Sequence, residues 1–205
     1  MRTGNTMTHT DLPIDIDMIG RMMIALDEIE ACREFAALIP EVRTNMVFAH
    51  PDAKTPDDVM AVDGRITIMS GMPRAAGRVR YGASNHMARL VLILMQTDPS
   101  VRSGIDFANP PGFSDWLSVY CRKTGWTIAM VDRRDEPAEF KNVEGSTMQW
   151  KAREAIRAVG GKVPKIICDA GGQGKEPVCT LFGNEPVNIA QDVCGIARAW
   201  AGSLK

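Results

Sequence analysis

Histidine is scarce in this chain and cysteine follows no pattern. The three histidines, His9, His50 and His86, lie far apart in sequence. That leaves no H-x-H or H-E-x-x-H pair for a His-rich metal site. The five cysteines, Cys32, Cys121, Cys168, Cys179 and Cys194, are odd in number and lack C-x-x-C spacing. Neither a disulfide framework nor a structural zinc site is expected, and the thiols read as reduced and partly buried. No apolar run approaches the roughly 18 residues of a membrane span. The longest, Leu90 to Met95, is far shorter. Met1 to Asn5 leads into polar residues rather than an apolar signal core. The chain is therefore expected in the cytoplasm, with no membrane partner. A net charge of -1 gives no bulk pull toward nucleic acid either. There is no internal repeat and no low-complexity segment.

What remains is an ordinary globular composition, 45% hydrophobic and 24% charged over 205 residues. That length suits a single domain over residues 1–205, with residues 1–10 a frayed leader. Ile19, Met22, Met23 and Leu26 mark one face of a first helix, expected to run to Leu38 and stop before Pro40. Thr44 to Ala49 reads as a strand. Val59 to Val62 and Ile66 to Met69 flank Asp63-Gly64, a hairpin signal that asks for a type I′ turn. A Gly-, Pro- and Arg-rich loop is expected from Ser70 to Gly82. Ser84 is an N-cap candidate for a helix carrying Met87, Leu90, Val91, Leu94 and Met95 at helical spacing. Further helices are expected from Phe113 toward Gly125, from Thr147 to Val159, and from Pro186 onward. Short strands are expected at Ile105 to Ala108, Trp126 to Val131, Ile166 to Cys168 and Val178 to Phe182. Interleaved helices and strands with hairpins among them predict an α/β domain, a mixed sheet covered by helices on both faces.

Three segments suggest chemistry. Asp169 to Pro177 follows a strand and sets Gly171, Gly172 and Gly174 beside Lys175. Glycines let backbone N–H groups approach an oxyanion, and lysine adds a point charge. The spacing is neither Walker A nor G-x-G-x-x-G, and a plain strand connection explains it equally well. If Ser84 caps its helix, His86 lies in the first turn, where unpaired N–H groups favour anions and a neutral imidazole. A surface histidine beside an ordinary cap is the plainer account. Arg65, Arg74, Arg78 and Arg80 precede that helix and suit a phosphate or pyrophosphate better than a merely solvated loop would. Arg133, after another strand, could add a cation. Glu144 to Thr147 leads into a helix.

Taken together, the chain resembles the ThiN family of thiamine-phosphate synthases. The matching stretches are Ile39 to Asn45, Val62 to Thr67, Pro73-Arg74, Gly82 to Arg89, Asp132-Arg133, Glu144 to Thr147 and Asp169 to Pro177. They span roughly residues 20 to 200. The resemblance implies a three-layer α/β/α fold around a mixed, mostly antiparallel sheet, like that of class II aldolases. The metal-binding histidines of those aldolases have no counterpart here. It also implies a reaction: the nitrogen of hydroxyethylthiazole phosphate attacks the methylene of hydroxymethylpyrimidine diphosphate, giving thiamine phosphate and pyrophosphate. The family's catalytic arginine and histidine fall on Arg65 and His86. The implied substrate- and phosphate-binding set is Arg43, Asn45, Arg74, Ser84, Arg133, Gly172, Gly174 and Lys175. Glu144, Thr147, Asp169 and Glu176 are further pocket candidates. Lys151 stands where the family commonly has glycine.

On this reading the partners are phosphorylated small molecules, with Mg²⁺ expected from the reaction and its ligands unassigned. A homodimer is compatible with the sequence. A separate pyrimidine kinase is expected to supply the diphosphate. The rival from another class is a non-catalytic thiamine-phosphate sensor. It would need a DNA-binding helix-turn-helix, and the segment before Ile39 has room for one helix only.

Overall fold

The computed structural model describes residues 12–137, 140, 146–172 and 174–204. The expected leader lies outside them. The elements, in chain order, are α1 (Leu12–Ala31), β1 (Met46–Ala49), β2 (Val59–Val62), β3 (Ile66–Met69), β4 (Met72–Ala75), β5 (Val79–Tyr81) and α2 (Asn85–Thr97). They continue with β6 (Ser103–Ala108), α3 (Phe113–Thr124), β7 (Ile128–Val131), α4 (Ser146–Ala158), β8 (Ile166–Asp169), β9 (Val178–Gly183) and α5 (Pro186–Ser203). Seven strands form one sheet in the order β5-β2-β1-β6-β9-β8-β7, and β3-β4 form a separate two-stranded ribbon. Every pairing is antiparallel except β7 with β8. That one parallel pair is joined through α4, as a parallel connection requires. The mixed α/β/α architecture is the expected one.

Strand alternation makes two cores. Met46, Phe48, Ile105, Phe107, Cys168 and Leu181 face α1, α3 and α5. Val47, Ala49, Ala129, Ile167 and Phe182 face α2 and α4. In α2, Met87, Leu90, Val91 and Leu94 are buried at i, i+3, i+4, i+7 spacing, so that face packs onto the sheet. Each such side chain contributes about 1.5–3 kcal/mol of burial before chain entropy is counted. Gly125, at φ 73, ends α3 in the left-handed region that favours glycine.

Four expectations need correction. The first helix does not reach Leu38. It ends at Ala31, Cys32 is non-helical, and a 3-10 turn over Arg33–Leu38 tucks Phe35 and Leu38 into the core. Next, β2 and β3 do not pair. Positive φ falls on Gly64 and Arg65, not on Asp63, so the turn is not type I′ and the chain leaves the main sheet. The two-residue hairpin sits instead at Ser70-Gly71, φ 51 and 75, between paired Met69 and Met72. Consequently the expected loop over Ser70 to Gly82 holds β4 and β5. Finally, Cys168 and Cys179 are bonded as a disulfide across β8 and β9, directly opposite each other in the register, with Cα atoms 4.1 Å apart. Sequence spacing does not show which residues a register sets face to face. Cys32, Cys121 and Cys194 are free and buried, as expected.

Candidate functional site

Strand pairing brings five chain segments to one end of the main sheet. Met46 pairs with Ile105, Asp106 with Thr180, Asp169 with Val178, and Val131 with Asp169. The start of β1, the ends of β6, β7 and β8, and the start of β9 therefore lie side by side. The end of β2, with Gly64 and Arg65 beyond it, joins them through its pairing with β1. Polar residues gather here on the face covered by α2 and α4.

Asp106 anchors the first group. Its neighbours Ile105 and Phe107 face the other core, so Asp106 faces α2 and α4. Asn45 donates twice to it, from its backbone N to Oδ1 at 2.8 Å and from Nδ2 to Oδ2 at 3.1 Å. Ser84 Oγ in turn donates to Asn45 Oδ1 at 3.1 Å. Burial pushes the Asp106 carboxyl up to about 6, against the opposing pull of the Asn45 bonds and the charges on Arg65 and Lys151. Ser84 does start α2, but its side chain makes no capping bond, because it is committed to Asn45. His86 lies in the first turn of α2, exposed to solvent.

Arg65 and Arg43 form the second group. Backbone bonds of 3.0 and 2.8 Å between Thr44 and Ile66 hold the two arginines' strands together. Arg65 Nη1 donates to Val42 O at 2.6 Å, and Arg43 Nη1 to Gly64 O at 3.2 Å. Both arginines have positive φ, 70 and 68, which is rare outside glycine. Glu176, from the glycine-lysine turn, accepts the N–H groups of Glu41 and Val42 at 3.0 and 3.3 Å. The loop before Thr44 thus ties the arginine turn to the glycine-lysine turn.

The third group is an ion network. Asp169 Oδ2 lies 2.7 Å from Arg133 and 3.2 Å from Lys151 Nζ, and Oδ1 accepts Gly171 N at 2.9 Å. Burial pushes Asp169 upward, but Lys151 and Arg133 outweigh it and hold the carboxyl below its ordinary value. Burial pushes the Lys151 ammonium down, against the pull of Asp169. Glu136 is buried, with Oε2 at 3.5 Å from Arg133 and 3.9 Å from Lys175. The glycine turn is a tight hairpin rather than an open nest. Gly172 and Lys175 exchange backbone bonds of 3.0 and 2.9 Å, so the Gly172 amide is not offered to an anion. Gly171 has φ 76, and a Cβ there would stand 2.8 Å from Lys175 O. No larger residue fits without displacing that backbone. Gly174 and Lys175 remain exposed.

Some expected members stand apart. Arg74 turns to the end of α1, bonding Glu30 O at 2.9 Å with the Glu30 carboxylate 3.6 Å away. Arg80 pairs with Asp63 at 3.0 Å. The four arginines therefore do not form one cradle. Thr147 Oγ1 reaches Phe140 O at 3.4 Å. Glu144 lies outside the described residues. Conversely, sequence reasoning passed over Asp106, Glu136 and the part played by Lys151. The missed signal at Asp106 is a charge inside the strand Ser103–Ala108, whose two faces are both covered. Among the described residues, no group of three or more His, Cys, Asp or Glu side chains could hold a metal ion. Mg²⁺ carried by substrate phosphates and one or two carboxylates needs no such group. No helix among the described residues is long and apolar enough to cross a membrane.

The family profile for thiamine-phosphate synthase ThiN matches residues 21–194. Thiamine-phosphate synthase ThiN of Methanothermobacter thermautotrophicus is 36% identical over 181 residues, covering 88% of this chain and 92% of that protein. The bifunctional thiamine biosynthesis protein ThiDN of Methanocaldococcus jannaschii is 34% identical over 157 residues, 76% of this chain and 35% of that protein. A crystal structure of the C-terminal domain of a phosphomethylpyrimidine kinase superposes at TM-score 0.84 with 33% identity, over 89% of this chain and 99% of that one. Sequence identity and fold agree along nearly the whole length, and this chain belongs to the ThiN family of thiamine-phosphate synthases.

Proposed function

We propose that this chain joins hydroxymethylpyrimidine diphosphate to hydroxyethylthiazole phosphate, forming thiamine phosphate and releasing pyrophosphate. The observation that supports this most is the meeting of Arg43 and Arg65 beside the entrance of α2 at one sheet end, in a chain of this family. The hard step breaks a C–O bond to pyrophosphate while positive charge builds on the pyrimidine methylene. Preorganised cations stabilise the leaving anion without reorganising at the moment of reaction. Arg65 and Arg43 take that role, and the free N–H groups at the start of α2 add to it. His86, in the same turn, donates to the departing oxygen or orients it. Lys175, at the exposed edge of the glycine turn, holds the second phosphate. Arg133 and Glu176 position their neighbours instead: one is committed to Asp169, the other to the loop of Glu41 and Val42. Mg²⁺ enters as the counter-ion of the diphosphate, and no step is routed through a metal held by the protein.

The protein works on this reading as a cytoplasmic biosynthetic enzyme fed by a pyrimidine kinase. The likeness to a domain of a phosphomethylpyrimidine kinase supports that pairing. The test is purified protein with both precursors and Mg²⁺. Thiamine phosphate and pyrophosphate should form in equal amounts. Tight binding of thiamine phosphate with no turnover would replace the synthase by the sensor.

A further inference from the structure

We propose that Asp106 reads the aminopyrimidine edge of the diphosphate substrate by accepting its exocyclic amino N–H. This rests on the synthase reading above and adds a residue that selects the substrate.

Three carboxylates lie in this polar cluster, and two stand within ion-pair distance of cations, although Glu136 Oε1 is buried without a hydrogen-bond partner. Asp169 is ion-paired with Arg133 and Lys151, and Glu136 lies beside Arg133 and Lys175. Asp106 alone among the three has no cation within ion-pair distance among the described residues. Its oxygens take one N–H each from Asn45, which leaves each with unused acceptor capacity. The residue as a whole is half-buried, with its carboxyl in the buried part. The groups facing it are Asn45 from β1, Arg65 from the turn after β2, Lys151 from α4, and Thr180 opposite on β9.

The two precursors between them carry phosphates, which need cations, and an aminopyrimidine, which does not. The aminopyrimidine edge offers an N–H donor beside a ring nitrogen. An unpaired carboxylate flanked by cations complements such a substrate: the amino edge meets Asp106 while the diphosphate meets Arg65. The step balances simply. The C–O electron pair leaves with pyrophosphate, and the thiazole nitrogen lone pair forms the new C–N bond. Between these events, positive charge on the methylene spreads through the ring to the amino nitrogen. A carboxylate accepting that N–H is stabilising where the charge arrives. The raised ionisation range supports this, since the anion prevails at neutral pH and is lost as pH falls through about 6.

The test measures binding of the aminopyrimidine monophosphate, its analogue lacking the amino group, and inorganic pyrophosphate, to wild type and Asp106→Asn. Wild type should prefer the amino compound by about tenfold or more, and Asp106→Asn should lose that preference. Pyrophosphate affinity and the KM for thiazole phosphate should hold within about twofold. The acid limb of the kcat/KM profile near pH 6 should vanish in the variant. If Asp106→Asn does not fold, Asp106→Glu, which shifts the carboxylate by one methylene, carries the same comparison. Amino-group preference surviving in the variant, or pyrophosphate and pyrimidine affinity falling together, overturns the assignment while leaving the synthase intact. Wild type that makes no thiamine phosphate overturns both.

Discussion

Arg43 and Arg65 hold each other's turns: each guanidinium grips a carbonyl next to the other residue, at Gly64 O and Val42 O. Both have left-handed backbones. The pair is therefore a mutual clamp built at some conformational cost, at the point where the reading above places the leaving pyrophosphate.

That clamp separates stability from activity. Left-handed backbone costs a non-glycine residue about 1–2 kcal/mol. Arg65→Gly relieves it and Arg65→Ala does not. Urea unfolding should find the glycine variant more stable than the alanine variant by about 1 kcal/mol. Both should lose at least about a hundredfold in coupling rate, since one such donor is worth about 2.7–4 kcal/mol. Equal stability of the two variants would contradict the strain, and near-normal turnover would remove Arg65 from the chemistry.

Lys151 is the cation inside the ion network. Removing one partner of a buried pair costs about 3–5 kcal/mol because the other is stranded. Asp169 keeps Arg133, so Lys151→Met should cost somewhat less, about 2–3 kcal/mol. Adding Asp169→Asn should not simply add to that loss. A double-mutant cycle in urea should give a coupling of about 1 kcal/mol or more. Strict additivity would mean that the 3.2 Å pair contributes nothing.

The Cys168–Cys179 bond can be counted directly. Thiol titration of denatured protein should find three free thiols before reduction and five after. The bridge closes a short loop, sequence separation 11, so reduction should lower stability by about 3 kcal/mol. Five thiols before reduction in protein purified without reductant would remove the bridge.

Asp106 and Asp169 impose opposite pH dependences. Asp106 titrates higher in the folded chain than in the unfolded one. Its contribution is fully present below its unfolded pKa and is lost as pH rises through about 6. Asp169 is held low, so its contribution is present above the unfolded value and lost as pH falls below it. Asp106→Asn cannot ionise. Between pH 5 and 8 it should gain on wild type by about 1 kcal/mol in chemical unfolding, with screening by solvent reducing the figure. No change in that difference across the range would mean that Asp106 titrates normally.

Much of this was legible in the sequence. The buried face of α2, the glycine stop of α3 and the proline start of α5 follow from periodicity and from end signals. Pairing was harder. Asp63-Gly64 carries a hairpin signature, yet its positive φ shifts by one residue, and Ser70-Gly71 makes the tight turn instead. Local preference does not decide which of two adjacent turns a sheet will use. The fate of the arginines was also hidden, because Arg74 meets Glu30 only once α1 lies against β4. Asp106 escaped notice because a charge in a strand suggests a solvated face, and only α2 and α4 make that face an interior one.

Helices α1 and α5 come from opposite ends of the fold and pack together, joined by the 2.6 Å Arg21–Glu185 pair and by Cys32 beside the Cys194 carbonyl. A ribosome releases them at widely separated times. The apolar side of α1, with Met18, Met22 and Ile29, is not fully covered until the strands and helices between it and α5 have been made. The emerging chain thus carries an incompletely covered sticky surface until α5 arrives, and a holding chaperone should find its target there.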